Sequence, residues 1–278
     1  MRPVGTALII FLVSLLSTHN AAAQALMAYI ESPGSQTSTF AGVPGAETET
    51  FNSLPLGDQT SPFASAIGTF QFSPTAQGDI LAADQYGGAN GSQYMSFGAQ
   101  SGTSAPITIN LNGNYNTFGF WFSAGDNNNG ITLYNNGTQF ARFSTADIVS
   151  LLSGSTVTSL GGTVYSSRAY FGNPNGTNQD TSEPFAYVQI ITTGSFNTIV
   201  LDNSGTTGTG FETDNFTVAS GAFTAPNTDV FVGSFAAVPE PSHYAALMGV
   251  CILLLVYGRR GIGACAQRRR EAGRGFAF

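Results

Sequence analysis

The sequence predicts a mainly β chain: a jelly-roll-like antiparallel β-sandwich with one short helix, set between an N-terminal signal peptide and a C-terminal transmembrane helix. Three observations carry that reading. Short runs rich in β-branched and aromatic residues recur along the middle of the chain at roughly ten-residue spacing. Glycine (34 copies), asparagine, aspartate and proline punctuate those runs. An apolar stretch stands near each end, next to arginine.

The runs that read as strands are Glu47–Phe51, Gly68–Phe72, Tyr94–Phe97, Ile107–Leu111, Phe118–Phe122, Ile131–Tyr134, Phe140–Ser144, Ala169–Phe171, Phe185–Ile191, Thr198–Leu201 and Asn215–Ala219. Asn112-Gly113, Asn129-Gly130 and Asn136-Gly137 read as tight turns, because Asn and Gly tolerate the positive φ that two-residue hairpins require. Ile131–Tyr134 and Phe140–Ser144, joined through Asn136-Gly137, form the clearest hairpin. One helix is expected over Ser144–Leu152, with Ser144 three residues ahead of Asp147 in a capping-box-like start. Its Ile148, Leu151 and Leu152 would face the core. The expected layout is a signal peptide over 1–25, a β ectodomain over 26–225, a linker over 226–238 and a tail over 239–278. In that tail an apolar helix covers about 244–258 and a basic end covers 259–278.

Charge is scarce and segregated. Charged residues are 9% of the chain, against about 25% in an ordinary soluble domain. There is no lysine. Between Leu26 and Val238 stand two arginines, Arg142 and Arg168, against 14 acids, a net charge of −12. A body this acidic would be repelled by nucleic acid, whose binding rests on Lys and Arg neutralising phosphates. From Pro239 onward six arginines face only Glu240 and Glu271.

The composition also narrows the chemistry. Both histidines, His19 and His243, and both cysteines, Cys251 and Cys265, lie in the terminal segments. The body therefore has no Ser-His-Asp or Cys-His nucleophile, no Lys Schiff base, no His or Cys zinc site and no internal disulfide. The sequence predicts no enzyme. Only carboxylate chemistry survives, and a glycan hydrolase built on two acids is the distant alternative.

The ends are more specific. Arg2 supplies a positive start, Ala7–Leu16 an apolar core, and Ala23-Gln24-Ala25 the small-x-small pattern that fits signal peptidase. Cleavage is expected after Ala25 or after Ala23. At the other end Val238-Pro239-Glu240-Pro241-Ser242 precedes the apolar run Tyr244–Gly258 and then Arg259-Arg260. The two prolines hold their segment extended, a form a protease can grip. The apolar run spans roughly 22 Å as a helix, and snorkelling arginines can extend its reach across a bilayer. The arginine cluster would hold that end inside the cytoplasm.

This order of elements resembles the PEP-CTERM sorting signal over about the last 40 residues. In that family an exosortase, a membrane-embedded Cys protease-like enzyme, is thought to cut near the Pro-Glu-Pro element and release the protein to the cell surface or exopolysaccharide. The resemblance implies that Pro239, Glu240 and Pro241 are the recognition element and Arg259 and Arg260 the stop. The basic end runs on to Phe278, longer than the family habit. Ala169–Asn175 with Glu183–Val188, and Gly210–Val218 as a final strand, are similar to the extracellular domains of exosortase-dependent surface proteins. The resemblance implies export through the inner membrane of a Gram-negative-type bacterium. Residence would be at the surface or in the extracellular matrix, as a structural or interaction protein.

Two kinds of ligand site are expected in the body. Asp126 and Asn128, in Asp126-Asn127-Asn128-Asn129-Gly130, concentrate the oxygens that calcium prefers, without the closing Glu of an EF-hand. Asp214 on the final strand, met by Glu49 from the first, is the second calcium candidate, as a structural ion. Trp121 is the only tryptophan. Alternation in Phe118-Gly119-Phe120-Trp121-Phe122 puts it on the face opposite the three phenylalanines. There it is either core or a stacking platform for a sugar ring. The second reading makes the body a surface-displayed carbohydrate-binding module whose partner is extracellular polysaccharide.

Overall fold

A computed structural model describes residues 25–175, 181–205, 208–236, 249 and 251–252. The chain divides into two compact units, Met1–Ala237 and Val238–Phe278. Of the second, Gly249, Cys251 and Ile252 are described, and they are helical. Among the described residues no helix is long and apolar enough to cross a membrane. The expected signal through Gln24, with Ala23, lies outside the described residues. So do Pro239, Glu240, Pro241, Arg259, Arg260 and almost all of the expected span over 244–258.

The first unit is mainly antiparallel β. Its strands are β1 (Ala25–Ile30), β2 (Glu47–Glu49), β3 (Gly57–Gln59), β4 (Phe63–Ala64), β5 (Gly68–Phe72), β6 (Gly78–Leu81), β7 (Tyr94–Phe97), β8 (Ile107–Ser123), β9 (Asn129–Asn135), β10 (Thr138–Ser144), β11 (Thr156–Thr158), β12 (Val164–Ser166), β13 (Ala186–Asn203), β14 (Phe211–Ala219) and β15 (Val230–Ala236). One helix, α1 (Ala146–Leu152), follows β10. Thirteen strands join one sheet, and β11 with β12 makes a separate pair.

Two long strands organise that sheet. β8 has 17 residues and β13 has 18. They pair from Ala186↔Phe122 to Ile191↔Thr117, lose register, and pair again from Thr198↔Asn110 to Leu201↔Ile107. Each half recruits different neighbours. On one side of the break, β13 pairs with β1, and β1 with β15, while β8 pairs with β14. β14 carries β2 and β7, and β7 continues to β6 and β3. On the other side β13 pairs with β9, then β10, and β8 pairs with β5, then β4. Strands that carry a break in register turn a corner and pass from one layer to another.

The two arms face each other across a phenylalanine core. Phe70 of β5 stacks on Phe216 of β14 with ring centroids 6.1 Å apart, and Phe51 meets both edge-on. Phe143 of β10 meets Phe235 of β15 at 5.5 Å. Phe118, Phe120 and Phe122 of β8 are fully buried in the same core. Each such ring contributes about 1.5–3 kcal/mol on burial, and no disulfide is needed to hold the arms together. The arrangement is consistent with a β-sandwich.

Several expectations change. Ile107–Leu111 and Phe118–Phe122 belong to one strand, as do Phe185–Ile191 and Thr198–Leu201 apart from Phe185, which precedes β13. The polar stretch between the first two remains extended at the corner, so Asn112-Gly113 lies inside β8 and is no turn. Asn129-Gly130 opens β9, with the Asn129 Oδ1 accepting from Asn203 Nδ2 at 2.7 Å. Asn136 and Gly137 do make the expected turn, with φ of 49° and 80°. Ala169–Phe171 is not a strand, because Ser167–Tyr170 forms a 3₁₀ turn. Most of the expected linker is not free: β15 occupies 230–236 and pairs along the whole of β1, while 237 and 238 lie outside the described residues. The helix begins at Ala146 without a side-chain cap. Thr145 Oγ1 is engaged by Asp126 O at 2.8 Å, and Ser144 Oγ reaches only the Ala146 N–H, at 3.3 Å.

Candidate functional site

Residues of β8, β13 and β14 that point away from the phenylalanine core would ordinarily meet water. Here they are covered by the loops over residues 31–46, 83–92 and 171–175. Asparagine and glutamine side chains fasten those loops to the sheet and to one another. Asn215 Nδ2 donates to Gln36 O at 2.8 Å, and Gln36 Oε1 accepts from Asn90 N–H at 2.6 Å. Asn173 Nδ2 donates to Asp84 O and Asn175 Nδ2 to Gly88 O, both at 2.8 Å.

Trp121 lies beneath this cover and is fully buried. Its ring sits 6.1 Å from that of Phe185, in a small cluster with Ala89, Ala124 and Tyr187. Its Nε1 has no hydrogen-bond partner among the described residues. Of the two readings of Trp121, core or stacking platform, the burial agrees with core. The strand is buried on both sides, and a sugar ring has no access to the indole in this structure.

Asp214 pairs opposite Trp121. Its Oδ2 accepts from Ala89 N–H at 2.9 Å and from Ser92 Oγ at 3.0 Å, and its Oδ1 accepts from Asn215 N–H at 2.6 Å. Burial outweighs these donors and pushes its carboxyl up to about 7. Glu49 stands opposite Phe216, so its strand β2 does neighbour β14, but β2 and β14 are not the first and final strands expected, since β1 precedes the one and β15 follows the other. The carboxyls nevertheless serve different partners, since Glu49 Oε1 accepts from Phe51 N–H at 2.6 Å. Asp126 Oδ1 accepts from Asn128 N–H at 2.7 Å, and burial raises its carboxyl above the usual range. Asn128 O receives both Ser204 N–H and Ser204 Oγ.

Calcium needs six to eight oxygens converging on one point. Among the described residues no three acids come together to hold a metal ion. Both Asp214 oxygens, and Oδ1 of Asp126, accept from internal donors.

A row of acids that sequence reasoning missed crosses the sheet beside Asp214. Asp58, Asp79, Ser96, Glu212 and Ser123 stand opposite one another on β3, β6, β7, β14 and β8. Glu212 Oε1 accepts from the Gln100 side-chain amide and from Ser96 Oγ. Burial pushes Glu212 up to about 8. Burial and the adjacent Asp58 also raise Asp79. Alternation in Glu212-Thr213-Asp214 was the available signal, since acids two apart on a strand share a face. A carboxyl held near neutrality could act as a general acid, but Glu212 is 6% exposed and lies under Gln100.

Open space lies elsewhere. A cleft of about 600 Å³ runs between the end of β2 with the turn after it and the β4–β5 hairpin. Glu49, Thr50, Asn52 and Ser53 line one wall, and Ser65 and Ala66 the other. Of the expected site residues only Glu49 reaches it.

No protein-family model matches the chain, and no curated protein matches it at a significant level.

Proposed function

We propose that the chain is an exported cell-surface or exopolysaccharide-associated protein whose β body, a sandwich of jelly-roll type, serves a structural or interaction role. Signal peptidase processes the front. An exosortase recognises Pro239-Glu240-Pro241 at the back, with the apolar helix as a transient membrane anchor and Arg259-Arg260 as its stop. The observation that carries this reading is the pair of terminal signals flanking a body with no His, Lys or Cys.

The fold supports it in two ways. Ala25 pairs directly with Ala236, so the body's first and last strands are neighbours and both ends of the chain leave it at one edge. The buried carboxyl of Asp214, moreover, fastens a loop to the sheet, which suits a structural role.

Intact mass of the protein recovered from the cell surface tests the reading. The expected product begins at Gln24 or Leu26 and ends between Val238 and Gly258. A surface product that retains residues beyond Gly258 would contradict it.

A further inference from the structure

We propose that the cleft beside β2 binds a neutral, hydroxyl-rich glycan segment, with Glu49 as its central acceptor. Glu49 is 7% exposed, yet it lines the cleft. Its Oε1 is held by Phe51 N–H, and its Oε2 has no partner among the described residues. Oε2 is not sealed from solvent, so on the wall of the open cleft it is an acceptor that a ligand can reach.

The surrounding groups select the donor. Asn52 spends its Oδ1 on Gln93 N–H at 3.1 Å, which leaves its amide hydrogens to the cleft. Ser65 Oγ accepts from Ile67 N–H at 3.2 Å and retains its own hydrogen to donate. Thr50 and Ser53 add hydroxyls that both donate and accept. Ala66 is exposed and presents a small apolar surface of the kind that packs on the C–H face of a sugar ring. Adjacent donors and acceptors around one carboxylate match a polyol, in which every hydroxyl plays both roles. A divalent cation would find one carboxyl where it needs several. A polyanion would meet a body with a net charge of −12 and no arginine in the cleft.

Both walls are fixed before a ligand arrives. Gln93 Nε2 donates to Phe51 O at 3.1 Å and to Leu54 O at 3.0 Å, clamping the turn after β2. Asn112 N–H donates to Ile67 O at 3.0 Å, and its Nδ2 to Ala66 O at 2.8 Å, clamping the hairpin. A preformed site loses little affinity to ordering, and the cleft, about 600 Å³ and broadly open to solvent, has room for a short segment of a chain that continues beyond it. The assignment does not depend on the sorting reading, whose test is a mass and not a binding curve.

Calorimetric titration of the full chain in mild detergent is the test. The probes are neutral gluco- and manno-oligosaccharides, with oligogalacturonate as the anionic counterpart. Saturable binding to a neutral probe is expected, weakened at least tenfold in Ala64→Leu/Ala66→Leu, where both positions are exposed on the hairpin wall and the larger side chains narrow the cleft. Glu49→Gln should weaken it at least fivefold with the circular dichroism unchanged. Should Glu49→Gln unfold the protein, Asn52→Ala at an exposed position replaces it, with the same fivefold loss expected. No neutral probe binding, undiminished binding in the Ala64→Leu/Ala66→Leu variant, or tighter binding of the anionic probe each overturns the assignment.

Discussion

Asp214 and Ala89 are joined across 125 residues of sequence: the buried Asp214 Oδ2 accepts the Ala89 main-chain N–H at 2.9 Å. The bond ties β14 to the loop that closes over Trp121. Ser92 Oγ shares the same oxygen, and Asn215 N–H takes the other. One carboxyl thus satisfies three donors, two from the loop and one from the bulged strand. A buried donor left unpaired costs more than its bond contributes, so the loop and the strand depend on each other.

Asp214→Ala should therefore destabilise the protein by about 2–4 kcal/mol, since it strands a fully buried amide and a half-buried hydroxyl. Urea unfolding at pH 6 measures the loss. A change below about 0.5 kcal/mol would mean that the loop is held by its asparagine contacts alone.

Glu212 predicts how stability moves with pH. Burial raises its carboxyl from 4.5 to about 8. The folded state therefore holds a proton that the unfolded chain has released, and stability falls as pH rises through that interval. The contribution is complete below about 4.5 and gone above about 8. Asp229, raised from 3.8 to about 7 by burial and then by Glu31, acts in the same direction, and its Oδ2 is buried without a partner. Midpoints of thermal unfolding should decline from pH 5 to pH 8. Glu212→Gln should flatten that decline and raise the midpoint at pH 8. A midpoint that climbs over this range would show that Glu212 is ionised in the folded state.

Local chemistry was legible where one residue decides the backbone, and illegible where a distant strand decides it. Asn136-Gly137 needs positive φ at both positions, and the pair announced the β9–β10 hairpin. Asn112-Gly113 carries the same letters but stays extended, because β13 pairs on both sides of it and draws the chain round a corner. Residues 226–238 looked like a linker, with Ala225-Pro226-Asn227 at their head. β15 forms there because the unpaired edge of β1 accepts it, and β1 itself was hidden beside the signal. The candidate site divides in the same way. Glu49 and Asp214 were legible as acids on neighbouring strands. Their separate partners, Phe51 N–H and Ala89 N–H, were not, since each depends on where a loop returns.

Trp121 separates two accounts of how this body could meet a sugar. As a core residue with an unpaired Nε1, it should tolerate Trp121→Phe at a cost of about 1 kcal/mol, for the ring volume lost and no hydrogen bond broken. Trp121→Ala should cost about 3–5 kcal/mol. Glycan affinity of the folded Trp121→Phe protein should equal that of the parent. A tenfold loss of affinity with the midpoint preserved would return the binding site to the indole.

Gly119 provides a sharper test of the covered face. It precedes Phe120 on β8 and pairs opposite Gln189 of β13 and Thr217 of β14. A Cβ placed there would come within 2.7 Å of the Tyr187 ring and hydroxyl and 2.9 Å of Gln189 Oε1. Neither neighbour is free to retreat. The Tyr187 hydroxyl donates to Asn215 O at 2.8 Å, and Gln189 Oε1 accepts from Ser38 Oγ at 2.7 Å. Both bonds fasten the covering loops or the bulge beside Asp214. Gly119→Ala should therefore destabilise by about 1–3 kcal/mol through overpacking. It should also loosen the cover, so that hydrogen exchange at Ala89 and Phe40 quickens more than exchange in the Phe70–Phe216 core. Uniform acceleration across both faces would show that the cover and the core unfold as one unit, with Tyr187 transmitting no separate strain.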